Sequence, residues 1–353
     1  MYRTMTITFI VGLIGAFIFS VIGLPMPWLL GPLFFVLITQ LKAPISLTWH
    51  PFFRNIGLVI AGYVIGYAFT LEALQQMIHF FPLMIAINVL FFLLFLVISF
   101  VLSRLSNMDL GTAMTCCVPG GLQQVIVFAE EQKEMDVTLV TFYHVLRVLV
   151  IVSMVPFIVS IQGPNLPVET PQGEQYSLIL LGLMIVAYFV GLLFKLIKVP
   201  TAYLLGPVFF VMICNLFEWQ VPVMPDSALH IAQLFIGIYI GLLLKRDSIK
   251  KMNKQWMYAL ISCVILVSFA LGISWFVKHA YFDFSTSFLS VVPGGLDQMG
   301  IIAASVQADV TIVTAFQLFR ILFLSALVIP FVQYVVRNKR RNYRAEHDSK
   351  EVK

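Results

Sequence analysis

The chain has 353 residues, of which 60% are hydrophobic and 11% charged, with a formal net charge of +5. Soluble domains carry about a quarter charged residues, so a water-soluble enzyme is excluded, and such high hydrophobicity excludes a disordered chain. The apolar runs are continuous rather than alternating in segments of about ten, which excludes a membrane β-barrel and leaves an all-α polytopic membrane protein.

In chain order, apolar runs cover residues 6–23, 26–41, 55–70, 80–102 and 137–162. Phe80 to Leu102 holds no charged residue and is long enough to cross a bilayer core of about 30 Å. No small-residue cleavage site precedes Pro25, so the first run reads as a retained helix rather than a signal peptide. A polar joint with Pro164, Pro167 and Pro171 runs from Gln162 to Tyr176. Runs at 177–194, 201–217, 231–244, 256–277 and 310–336 follow. Two further segments, 111–131 and 285–307, each carry a Pro-Gly-Gly at the middle. A basic tail, 337–353, closes the chain and marks topology or meets anionic lipid. Cys116, Cys117, Cys214 and Cys263 all lie in apolar stretches and read as buried small residues, with no disulfide framework.

The chain is duplicated. Leu29-Leu30-Gly31-Pro32-Leu33-Phe34-Phe35-Val36 returns as Leu204-Leu205-Gly206-Pro207-Val208-Phe209-Phe210-Val211, 175 residues on. Gly62-x-x-x-Gly66 returns as Gly237-x-x-x-Gly241 at the same offset, and Val118-Pro119-Gly120-Gly121-Leu122-Gln123-Gln124 returns as Val292-Pro293-Gly294-Gly295-Leu296-Asp297-Gln298. Asp136-Val137-Thr138 with Arg147 matches Asp309-Val310-Thr311 with Arg320. Blocks in one order at a near-constant offset mark two copies of one unit, 1–162 and 163–336.

Basic residues give the orientation. If each Pro-Gly-Gly segment re-enters and leaves by one side, each copy has five spans and the copies are inverted. With the N-terminus inside, 19 Lys/Arg then lie inside and one, Lys278, outside; letting those segments span gives 12 against 8. The expected architecture is therefore two inverted repeats of about five transmembrane helices, each with a broken or re-entrant helix. This is a plan used by many secondary transporters. The expected place is the bacterial inner membrane, multi-pass, with both termini cytoplasmic.

About eight residues precede each Pro-Gly-Gly and ten follow, so each arm is half a membrane long and the tip sits near the midplane. Pro119 removes a donor, and the glycines permit positive φ. Freed backbone groups there are tolerated only against protein or a cavity. The substrate-binding expectation is therefore Gly120, Gly121, Gln123, Gln124 and Arg147 in the first copy, with Gly294, Gly295, Asp297, Gln298 and Arg320 in the second. Gln suits polar solute recognition. Asp297 either caps its helix or serves as a proton or cation coupling site. A helix N-terminus at Leu122 or Leu296 attracts anions. Arg147 and Arg320, costly inside a membrane, either bind an anionic solute or clamp the carbonyls of the broken helix. Asp136 and Asp309, and likewise Asp109 and Asp283, read as helix N-caps. The Gly-x-x-x-Gly pairs read as contacts within the chain, with a homodimer seam as the alternative. The six histidines show no metal-ligand spacing, and no nucleotide or hydrolase motif is present, so neither metal nor cofactor is expected.

The doubled Val-Pro-Gly-Gly-Leu-(Gln/Asp)-Gln block, with Asp136/Asp309, Arg147/Arg320 and Leu-Leu-Gly-Pro, resembles the AbrB-type membrane protein family through both copies. That resemblance implies a multispanning, duplicated protein. Members of that family have been labelled both as ammonia monooxygenases and as regulators of an alkylation-response gene. It brings no binding residues with it, and a small soluble DNA-binding regulator shares only the name. The functional expectation is a secondary transporter, not an enzyme, moving a small polar or anionic solute by alternating access. Its partners are the bilayer and that solute, with no nucleic acid. A membrane-embedded regulator acting indirectly on gene expression is the alternative. An ammonia monooxygenase subunit would need clustered copper ligands that lone histidines do not supply.

Overall fold

The computed structural model describes residues 2–42, 46–71, 75, 78–106, 108–119, 125, 129, 135–161, 178–197, 199, 201–219, 221–246, 252 and 254–336. Among them the chain is all helical. The first half contributes α1 (Tyr2–Ile22), α2 (Pro27–Lys42), α3 (Pro51–Ala68), α4 (Phe81–Ser106), α5 (Leu110–Cys117) and α6 (Val137–Ser160). The second contributes α7 (Leu178–Leu196), α8 (Ala202–Leu216), α9 (Asp226–Gly241), α10 (Gln255–Ala280), α11 (Phe284–Val291), α12 (Leu296–Ser305) and α13 (Val310–Phe323). Helix α13 runs on through a π-helical turn, Leu324–Val328, so that the apolar rod ends at Val336.

Among the described residues six rods are long and apolar enough to cross a membrane: α1, α4, α6, α7, α10 and the extended α13. All ten apolar runs of the sequence are helical, but α2, α3, α8 and α9 are only 15 to 18 residues long. At 1.5 Å per residue they reach about 22–27 Å, short of a full hydrocarbon core. Their ends are set by Pro27, Pro51 and Pro225 at or beside the first turn, where a missing N–H costs nothing.

These four short helices pack together in exchanged pairs. Helix α3 lies along α8, α9 lies along α2, and α3 meets α9 in the middle; α1 and α7 cover the outside of α2 and α8. Glycines fix the spacing. A methyl at Gly62 would strike the backbone oxygen of Leu204, and one at Gly237 the backbone oxygen of Leu29. A Cβ at Gly66 would lie 2.7 Å from the Val208 oxygen, and one at Gly241 2.6 Å from the Leu33 oxygen. Both Gly-x-x-x-Gly faces are thus consumed inside this chain, each on the other half's Leu-Leu-Gly-Pro helix. Gly31 and Gly206 make the same close approach to α1 and α7.

The remaining helices form a second group. Helix α5 packs on α4 and α6, α11 on α10 and α13, and α12 on α11 and α13. The groups meet where α3 touches α12 and α13 and where α9 touches α6. Cys116, Cys117, Cys214 and Cys263 are buried free thiols, as their apolar settings required.

Candidate functional site

Four aspartates open the elements that build the site. Asp109 accepts the N–H of Gly111 at 2.8 Å to start α5, and Asp283 that of Thr286 at 3.1 Å to start α11. Asp136 and Asp309 accept from Leu139 and Ile312, each at 3.0 Å, to start α6 and α13. Each carboxylate satisfies one orphan donor and complements the helix dipole, so the capping role accounts for all four.

The Pro-Gly-Gly break is present in the second half. Helix α11 stops at Val291, Gly295 takes φ +100°, and α12 starts at Leu296. A Cβ on Gly294 would press the flexible end of Met299, and one on Gly295, strained by its positive φ, the Gln298 amide. The segment turns back on itself. The N–H of Asp309, after α12, donates at 3.0 Å to the hydroxyl of Thr286 in the first turn of α11. The first half matches as far as it is described. Helix α5 ends at Cys117, and Thr115 donates to the sulfur of Met135, beside the start of α6. The broken segment of the second half opens at the Asp309 end of α13, whereas α5 of the first half starts at the other end, where a Cβ on Gly111 would lie 2.8 Å from Val336. Gly120, Gly121, Gln123 and Gln124 lie outside the described residues.

Each hairpin arm ends on a buried side-chain clamp. Gln317 donates to Leu289 O at 2.7 Å and to Val292 O at 3.0 Å. Arg320 donates to Val292 O and Ser290 O at 2.8 Å and to Val291 O at 3.0 Å. Together they satisfy the four carbonyls that the end of α11 leaves without helical partners, and put a positive charge on its negative end. In the first half His144 contacts Thr115 O at 2.9 Å and Arg147 donates to Val118 O. The correspondence is position by position: His144 with Gln317, Arg147 with Arg320, Thr115 with Leu289, Val118 with Val292. The donors that the sequence offered to an anion therefore engage backbone.

At the tip, Asp297 accepts from the Gln298 amide at 3.0 Å. Its carboxylate already occupies the positive end of α12, leaving no bare N-terminus there for an anion. Across the gap Arg54 of α3 lies over the Tyr239 ring, 4.4 Å from its centroid. Asp297 and Gln298 thus sit together just after the break, and Arg320 binds the carbonyls just before it.

Two cavities flank the hairpins. One, of about 630 Å³, lies between the N-terminal ends of α2, α9 and α13 and the C-terminal ends of α3 and α12. Trp28, Tyr67, Asp226, His230, Gln233 and Gln307 give it a polar lining. The rings of Trp28 and His230 stack at 5.4 Å, and Gln233 donates to Ser305 at 2.6 Å, tying α9 to α12. The other, of about 230 Å³, lies at the opposite end of the fold, against the start of α6 and Leu243 and Leu244. Thr138 and Thr141 are its only polar lining side chains among the described residues. Sequence reasoning missed the larger cavity because five separate helices build it. A signal existed in the duplication: Asp226 and Gln233 stand where the first copy has Pro51 and Leu58. No group of three or more His, Cys, Asp or Glu is gathered among the described residues.

The family described as "Transition state regulatory protein AbrB" matches residues 28–336. A Bacillus subtilis (strain 168) protein named "Uncharacterized protein YhjN" is 25% identical over 349 residues, covering 90% of this chain and 89% of its own. An Escherichia coli (strain K12) protein named "Putative regulator AbrB" is 25% identical over 323 residues, covering 89% of this chain and 92% of its own. No solved structure matches.

Proposed function

The chain belongs to the AbrB family, and from that premise we propose that it is a secondary transporter, not an enzyme, of the bacterial inner membrane. It moves a small polar solute by alternating access. Residues 1–162 and 163–336 act as inverted repeats, and 337–353 forms a cytoplasmic tail. One observation carries this reading: α11 and α5 start at opposite ends of α13, and a cavity lies at each of those ends. A solute held at the hairpin tips, by Gly294, Gly295, Asp297, Gln298 and their partners Gly120, Gly121, Gln123 and Gln124, would see one cavity or the other. Arg147 and Arg320 hold the tips in place by their backbone contacts.

The exchanged packing of α2, α3, α8 and α9 supports a frame, and the hairpin group supports a body that moves against it. Hinge and shear motions of this kind need an interface with few direct ties. The polar ties that bridge the two groups at the larger cavity are Thr311 to Ala68 O, 2.7 Å, and Gln233 to Ser305. With the charge split as guide, the larger cavity faces outside and both termini face the cytoplasm.

Metabolite profiling of a deletion strain beside an overexpressing strain tests the proposal. A transporter shifts one solute class in opposite directions in the two strains. The E. coli relative's name favours a second reading, a membrane-embedded regulator acting indirectly on gene expression. That reading is supported if transcripts change in both strains while no solute pool does.

A further inference from the structure

We propose that the larger cavity is a binding site for a small organic cation, held at the carboxylate of Asp226 and the ring of Trp28 and read by the amides of Gln233 and Gln307. The volume, about 630 Å³, suits a small-molecule site. Among the described residues its only Asp, Glu, Lys or Arg lining side chain is Asp226. By the proposed orientation, the described Asp, Glu, Lys and Arg at this end of the fold are Glu218, Asp226, Asp283 and Asp309 against Lys278, beside the histidines His79, His230 and His279. A face of one sign concentrates ligands of the other.

Helix N-termini also open here, and they would normally invite an anion. Each is less open to one than a bare helix end. Helix α9 carries Asp226 in its first turn, α13 is capped by Asp309, and α2 begins with Pro27, which has no N–H. Trp28 and Tyr67 add aromatic rings, which attract cations through their faces. The amide oxygens of Gln233 and Gln307 add neutral acceptors.

Gln307 adds an observation from the backbone. It follows the end of α12 at φ +56°, while Ala308 N returns to Ala303 O at 3.0 Å. Glycine is the usual residue at that left-handed position because it carries no penalty there. Here a strained glutamine places an amide in the cavity wall instead.

The site deepens the transport reading by naming the solute class at its outer end, but its test needs no transport. Full-length protein in lipid nanodiscs is titrated with ethylammonium, acetate and acetamide, and binding is read by saturation-transfer NMR. Saturable binding of ethylammonium alone is expected, weakened about tenfold in Asp226→Asn, as loss of one charge-assisted contact would give. Gln307→Gly is expected to raise Tm and yet weaken binding, a pairing that a merely structural glutamine would not produce. Binding of acetate or acetamide as tightly as ethylammonium overturns the site, as does no saturable ethylammonium binding. Ethylammonium binding unchanged in both variants also overturns it. If the cation binds but no solute pool responds to the protein in cells, the transport reading fails and the site stands.

Discussion

Arg320 reaches back 28 residues to put Nη1 at 2.8 Å from the carbonyl oxygen of Val292, the last before the Pro-Gly-Gly break. Its Nη2 covers Ser290 and Val291 as well. A guanidinium can do this because its donors are fixed in a planar fork, whereas an ammonium presents its donors from one atom. Arg320→Lys should therefore leave buried carbonyls without donors, at about 1–3 kcal/mol for each orphaned group. A lowered Tm in detergent and an aggregated gel-filtration profile are expected. A sharp, monodisperse peak with unchanged Tm would refute the clamp.

The two clamps use different residues at one position, and that allows a transplant. His144 meets Thr115 O as Gln317 meets Leu289 O. His144→Gln should keep a donor for the carbonyl and cost under about 1.5 kcal/mol, the range of well-fitted core exchanges. Gln317→Leu keeps the bulk and removes the donor, leaving Leu289 O without its side-chain partner at about 1–3 kcal/mol. Thermal unfolding of both variants checks the order. A His144→Gln loss as large as that of Gln317→Leu would mean the two positions are not equivalent.

Much of this was legible before any coordinates. Eight residues before Pro293 and ten after Gly295 gave the arm lengths, and the helices there have 8 and 10 residues. The aspartate caps were readable because capping is local chemistry within three residues. The clamp was readable as one of two alternatives, since an arginine at membrane depth must have partners, but sequence could not say whether they were backbone or ligand. The exchange of α3 onto α8 was not readable. Gly62 announces a close approach, yet its partner, Leu204, lies in the other half and no local pattern names it. The larger cavity was hidden for the same reason: His230 reads as solitary until Trp28 is folded against it.

Glycine substitutions should separate tight seams from open faces. A Cβ at Gly62 or Gly237 meets backbone oxygen, which cannot rotate away as a side chain can. Gly62→Ala and Gly237→Ala should each cost about 1–3 kcal/mol or more through overpacking and helix displacement. Gly182 and Gly272 sit inside α7 and α10 with nothing within 4 Å of a Cβ. Alanine there should be neutral or stabilise by about 0.5–1 kcal/mol through helix propensity. Thermal shifts of all four single variants decide it. Equal losses in both pairs would count against the exchanged packing.

Sidedness is open to direct measurement because the native thiols are out of reach. Cys116, Cys117, Cys214 and Cys263 are buried, so replacing them with alanine or serine should give a quiet background. New cysteines at Ser227, beside the larger cavity, and at Arg246, just past the end of α9, mark opposite ends of one helix. In the orientation proposed from the 19-to-1 division of Lys and Arg, Arg246 is cytoplasmic and Ser227 external. A membrane-impermeant maleimide should therefore label Ser227→Cys in intact cells and Arg246→Cys only in inverted vesicles. Removing one positive charge at Arg246 leaves the division nearly intact, so the variant itself should not turn the protein over. Labelling of Arg246→Cys from outside would overturn the orientation. It would also put the acidic face and its cavity on the cytoplasmic side, where a cation site would govern release rather than capture.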